Sequence, residues 1–280
     1  SSASDYATDA TYGAENVWDS NYKAVYHLQE DPSGTAPQIK DSTSTSLDLT
    51  SAGSMTSGDS VAVKIGKGID FDGSDDELVS TANLGITGSN SRTVSLWAKQ
   101  PTAANKNILG FGTTTTGGCF DLLFHTNKFV VHCYSGGYDN ISVAPAYTAN
   151  TLAFLYATYD GTSVRSYVNT SGGTATKMTL NTANSYLRVG KGTYTVLDRL
   201  AGQIDEVRIS NIVRSTGWMS AEYSNQNSPT TFYTVGTQEA NSTEANSVRS
   251  LYIFGKNTDN SNRGLYTYGS LNSNSTRGLY

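Results

Sequence analysis

The chain has 280 residues, of which 15% are charged and 37% hydrophobic, with a net charge of -5. Only 19 residues are Lys or Arg, which gives no sign of a phosphate-backbone partner. No apolar run approaches the ~20 residues that span a bilayer. The polar mass is hydroxyl and amide, with 18 Tyr against 8 Phe.

In chain order, residues 1–20 read as a lead, without the basic start and apolar core of a signal peptide. Short alternating runs follow: YKAVYHL (22–28), RTVSLWAK (92–99), KNILGFG (106–112), LAFLYATYD (152–160), SVRSYVN (163–169), YLRVG (186–190) and LAGQIDEVRIS (200–210). Gly, Asn, Asp and Ser clusters separate them, a pattern of many short strands that predicts an all-β, antiparallel sandwich or jelly roll. Asp160-Gly161 and Asp72-Gly73 sit between period-two runs and predict hairpin turns. The acidic cluster Asp70, Asp72, Asp75, Asp76 and Glu77 lacks the ligand spacing of an EF-hand and reads as a solvated turn. One segment, STGWMSAEYSNQ (215–226), reads as a helix capped by Ser215, with Trp218, Met219 and Tyr223 on one face and Pro229 as its stop.

The two cysteines flank a hairpin, CFDLLFHTNKFVVHCY. A turn centred on Thr126 sets Cys119 opposite Cys133, for a cross-strand disulfide worth roughly 3 kcal/mol. A register slip by one residue leaves two buried thiols instead. His125 and His132 lie nearby, without the CxxC or HxxxH spacing of a metal motif.

Several of these stretches, taken together and in order, resemble the laminin-G-like, concanavalin A-like jelly-roll superfamily of bacterial-type surface proteins. They are YKAVYHLQED (22–31), KDSTS (40–44), GKGIDFDGSDDELV (66–79), TVSLWAK (93–99), LYATYDGTSVRSYVN (155–169) and GQIDEVRISNIVRSTGWMSAEY (202–223). The resemblance covers a domain at 21–237. It implies two antiparallel sheets packed face to face, with the short helix over one end. It also implies a Ca2+ ion held by Asp41 and Asp205, oxygen ligands from separate segments suiting a hard cation. The alternative for Asp205 is a carboxylate satisfying turn amides. The implied setting is extracellular or cell-surface.

No catalytic constellation emerges. Retaining glycoside hydrolysis needs two carboxyls ~5 Å apart. Asp70 and Asp72 run into a turn, and Asp205 and Glu206, adjacent on a strand, are expected on opposite faces. The chain therefore reads as a non-enzyme with two candidate roles. One is a glycan-binding module, using Tyr134, Tyr138, Asp139 and Asn140 of YSGGYDN and Tyr194 of KGTYTV as aromatic and hydrogen-bonding contacts. The other, and the reading adopted from the sequence, is a structural, adhesive subunit that self-associates through its terminal segments into homo-oligomers or a polymer, a surface stalk or filament; calcium-dependent glycan binding as a module of a larger surface protein is the alternative. The structural reading rests on the C-terminal segment. After a polar linker (238–248), residues 249–280 repeat R-x-L-Y-x-[F/Y]-G, with Arg at 249, 263 and 277. Alternation sets Leu251 opposite in face to Tyr252 and Phe254, and Leu265 to Tyr266 and Tyr268. Two such units are too few to bury a core alone, so the tail must lean on its own domain, on more repeats or on a neighbouring chain; pairing with another chain as β-strands is the expectation, and an extra edge hairpin on its own sandwich the alternative.

Overall fold

A computed structural model of the chain describes residues 13–133, 140–141, 145–193 and 198–232. The chain divides into two compact units, 1–233 and 234–280. The second unit, with the repeat residues Leu251, Tyr252, Phe254, Leu265, Tyr266 and Tyr268, lies outside the described residues.

Two sheets face each other. One has nine strands, with Ala201–Ser210 at its centre between Arg92–Lys99 and Lys67–Asp72. Ala153–Tyr159 and Ser163–Val168 extend it beyond Arg92–Lys99, and Tyr22–Tyr26 also pairs with the central strand. The other sheet has eight strands, among them Lys128–Cys133, Cys119–His125, Lys106–Gly112, Tyr186–Val189 and Glu77–Asn83, neighbours in that order. All pairings are antiparallel except Asp198–Arg199 against Lys106–Gly112. This is the all-β jelly-roll sandwich that the alternating runs predict.

Period-two patterning explains the core. Val94, Leu96 and Ala98 of one sheet and Phe120, Leu122 and Phe124 of the other point between the sheets. Fully burying each such Leu, Val or Phe side chain contributes about 1.5–3 kcal/mol. The intervening residues face outward. The Asp-Gly turns form as expected, with Gly73 at φ 80° and Gly161 at φ 100°, where a side chain would be strained. Asp160 fixes its turn by accepting from the Thr162 and Ser163 amides at 2.9 and 2.8 Å.

The cysteine hairpin forms in a different register. His125 pairs with Lys128 and Asp121 with His132, so the turn is Thr126-Asn127, with Thr126 at φ 58°. Continuing that register sets position 133 opposite 120. Of the two outcomes that the sequence left open for Cys119 and Cys133, the structure has the pair of buried thiols and not the bridge. The physical reason is a two-residue turn where the expectation needed an odd-numbered one.

The helix spans Thr216–Asn227, and Ser215 caps it by accepting from the Trp218 amide at 3.1 Å. The helix ends before Pro229, as expected, and a separate single turn, Pro229–Phe232, follows. The long helix covers the outer face of the nine-stranded sheet. Met219 and Tyr223 pack on Trp97, Phe154, Tyr156 and Tyr167, while Trp218 stays 45% exposed. The lead is tied down at its end: the Asp19 carboxylate accepts from both terminal nitrogens of Arg214 at 2.6 and 2.8 Å. Replacing the cap, Ser215→Ala, should lower unfolding free energy by about 1 kcal/mol, seen as a lower urea midpoint at unchanged slope.

Candidate functional site

The outer face of the eight-stranded sheet carries a cleft of about 380 Å³. Thr113 and Thr114, following strand Lys106–Gly112, form one side. Tyr186 and Arg188 of strand Tyr186–Val189 form the floor, and Lys191, Gly192 and Thr193 the other side. Alternation puts Tyr186 and Arg188 here, because Leu187 and Val189 take the core positions between and after them. The Tyr186 ring is 49% exposed.

The floor is held by Glu77, a buried residue on the neighbouring strand. Its carboxylate meets Arg188 at 2.5 Å, Arg199 at 3.1 Å and Lys191 at 3.4 Å. Burial opposes its ionisation, but the hydrogen bond to Arg188 and the charges of Arg188, Lys191 and Arg199 outweigh that and hold the carboxyl below its ordinary value. One carboxylate facing three cations neutralises them only in part. The cleft thus offers an aromatic ring, hydroxyls and cations together. The acidic cluster at 70–77 is accordingly not a wholly solvated turn: Asp76 and Glu77 are buried. A larger hollow, about 530 Å³, runs beside the helix, lined by uncharged residues such as Ser220, Ser224 and Phe232. It offers no charged group and draws only on the two consecutive helices and Ser228, so the cleft is the better-equipped site.

Most of the expected glycan contacts are not among the described residues. Tyr134, Tyr138, Asp139 and Tyr194 lie outside the described residues, and Asn140 belongs to strand Asn140–Ile141, paired with Cys133. Tyr194 directly follows the cleft residue Thr193. Tyr186 and Arg188 were missed because YLRVG reads as an ordinary strand, and nothing linear marks Glu77 as their partner.

Asp41 and Asp205 do not fit a shared calcium ion. Asp41 Oδ1 accepts from the Val25 and Thr43 amides, and Oδ2 from the Thr43 hydroxyl and the Leu47 amide. Both oxygens are committed to holding the 41–47 loop on strand Tyr22–Tyr26. Asp205 Oδ2 accepts from the Lys64 and Ile65 amides at 2.9 and 2.8 Å, the turn-amide role. Its other oxygen, Oδ1, has no hydrogen-bond partner. Among the described residues, neither aspartate belongs to a cluster of three or more converging metal-ligand side chains.

Asp205 and Glu206 also correct an expectation. They share the outer face instead of lying on opposite faces. The ladder with Arg92–Lys99 shifts register between Asp205 and Arg208, and Glu206 takes φ 53°. This bulge turns both carboxylates outward while Ile204 and Val207 stay in the core. Glu206 accepts from His27 Nδ1 at 2.6 Å and Arg208 at 2.7 Å. Glu222 of the helix accepts from the Ser95 hydroxyl at 2.7 Å, and Gln226 accepts from the Trp97 indole. The network is buried under the helix and serves to dock it.

With its two antiparallel sheets packed face to face, the molecule is of the jelly-roll sandwich class. The family model of the concanavalin A-like lectin/glucanases superfamily matches residues 72–220, just over half the chain. The chain belongs to that superfamily. No curated protein matches it. Among solved structures it is similar to the binding domain of Paraclostridial Mosquitocidal Protein 1, with a TM-score of 0.55 and 10% identity over 73% of this chain and 52% of that one. It is similar to the receptor binding domain of botulinum neurotoxin C/D mosaic serotype, with a TM-score of 0.55 and 12% identity over 74% and 51%. It is also similar to domain 4 of an extracellular arabinanase from Geobacillus stearothermophilus in complex with arabinotriose, with a TM-score of 0.50 and 16% identity over 71% and 97%. The match thus spans about half the length of the first two. Two of these three are binding domains by description, and none of the likenesses, at such identity, shows more than the fold. No helix among the described residues is long and apolar enough to cross a membrane.

Burial raises Asp205 from 3.8 to about 6, with the Glu206 charge adding to it against the turn-amide bonds. Its contribution to stability is therefore complete below about pH 4 and is lost as pH rises through 6. Asp205→Asn keeps an acceptor for the two amides and removes the charge. Between pH 4 and pH 7 the variant should gain about 2–3 kcal/mol relative to the parent, at ~1.4 kcal/mol per pKa unit. Urea midpoints at both pH values check this; a pH-independent difference contradicts it.

Proposed function

We propose that the sandwich is a non-catalytic, extracellular binding module that holds an anionic glycan in the cleft. The observation that carries this is the half-exposed Tyr186 ring beside Arg188 and Lys191, cations that Glu77 neutralises only in part. An aromatic ring offers a flat apolar face with a polar tip. The guanidinium presents a planar fork that matches a sugar carboxylate or sulfate. The hydroxyls of Thr113, Thr114 and Thr193 supply further hydrogen bonds. The domain seen with arabinotriose supports a sugar as the kind of ligand this fold accommodates, and the cations add the acidic preference. Screening against neutral and uronate-bearing or sulfated oligosaccharides should show binding of the acidic set, weakened at least about tenfold by Tyr186→Ala and by Arg188→Gln, or about 1.4 kcal/mol. Equal binding of neutral sugars, or full affinity in both variants, would count against it.

A second reading concerns the tail. The 14-residue spacing of Arg249, Arg263 and Arg277 favours equal strands separated by equal turns, suited to pairing between copies in a surface stalk or filament. On this reading the full chain self-associates with rising concentration, while the protein lacking 240–280 stays folded and sediments as a monomer. A full chain that is monomeric throughout rules the coupling role out.

A further inference from the structure

We propose that Cys119, Asp121 and His132 form a site for a divalent transition metal, with Zn2+ the ion their chemistry suits. The three lie on the outer face of the eight-stranded sheet, since Phe120 and Leu122 take the core positions beside them. The ladder pairs Asp121 directly with His132, and Cys119 is two residues along the same face. One ligand atom from each, a thiol sulfur, a carboxylate oxygen and a ring nitrogen, lies within 4.8 Å of the others. All three residues are 0% exposed.

The surroundings are shaped for the carboxylate. A Cβ on Gly110 would come within 2.1 Å of Asp121 Oδ1, and one on Gly192 within 3.2 Å of its Cγ. Side chains at either position would fill its place. The Thr193 amide donates to Asp121 Oδ1 at 2.9 Å, which orients the group as outer hydrogen bonds orient metal ligands. Sulfur, nitrogen and oxygen together suit Zn2+ and its first-row neighbours, whereas calcium takes oxygen alone. Binding takes the thiol proton from Cys119 into solution. The site does not depend on the glycan reading, although Gly192 and Thr193 belong to both.

Cobalt is the probe, because a cobalt–thiolate bond gives a near-ultraviolet charge-transfer band. Titrating Co2+ into the whole, reduced, metal-free protein should produce that band, saturating at one equivalent and bleached by Zn2+. Zn2+ should also raise the melting temperature. Cys119→Ser, checked for folding by circular dichroism, should lose the band, and Asp121→Asn should weaken Co2+ binding at least about tenfold. Should Cys119→Ser fail to fold, Asp121→Asn and the parent titration decide. No saturable cobalt binding, cobalt bound without the thiolate band, or a band that survives Cys119→Ser overturns the proposal.

Discussion

Glu77 is one carboxylate with three cations around it, and the cleft depends on that arrangement. Arg188 comes from the adjacent strand, Lys191 from the segment after it, and Arg199 from the short parallel strand. Without a buried anion these cations would repel one another and draw away into solvent. With it, the floor and one side of the cleft are fixed together. The geometry is not cheap, because the carboxylate is desolvated. Its attraction to several charges at once, with a hydrogen bond to Arg188, offsets that cost. Shape and charge of the site therefore have the same origin.

The two outer faces of the sandwich are finished differently. On the nine-stranded sheet the helix Thr216–Asn227 lies over an aromatic cluster and a buried polar network, and Glu206 is turned toward it by a bulge. Such a face is closed. On the eight-stranded sheet, strands Cys119–His125 and Lys128–Cys133 are buried on their outer side, while Tyr186 and Arg188 remain reachable. Reachable aromatic and charged side chains are concentrated where the cover stops. The glycines at 110 and 192 bring the segment after Tyr186–Val189 down against Asp121, so the wall of the cleft rests on the Cys119, Asp121 and His132 cluster.

Much of the fold was legible because strand alternation is a local property. RTVSLWAK and KNILGFG name their strands to the residue, and the Asp-Gly turns and the Ser215 cap carry their own chemistry. What failed required knowledge across the sheet. Asp205 and Glu206 were placed on opposite faces by a rule that holds for regular strands, and the bulge broke it. The cysteine pairing turned on whether a hairpin loop held an even number of residues, which HTNK does not reveal. Asp41 carried the expected acidic residue type but spends both oxygens on loop amides. Glu77 looked like part of a solvated run because its three partners lie more than 100 positions away. The Cys119, Asp121 and His132 cluster escaped notice for the same reason: its ligands converge across a ladder rather than along a motif.

On the proposed function, ligand enters the cleft and not the helix-side hollow. Backbone amide resonances of isotope-labelled protein, followed while an acidic oligosaccharide is added, address it directly. Saturable shifts are expected at Thr113, Thr114, and from Tyr186 to Thr193, with the helix resonances unmoved. Shifts confined to Ser220, Tyr223, Ser224 and Asn227, or saturable binding that leaves the cleft residues unchanged, would contradict it.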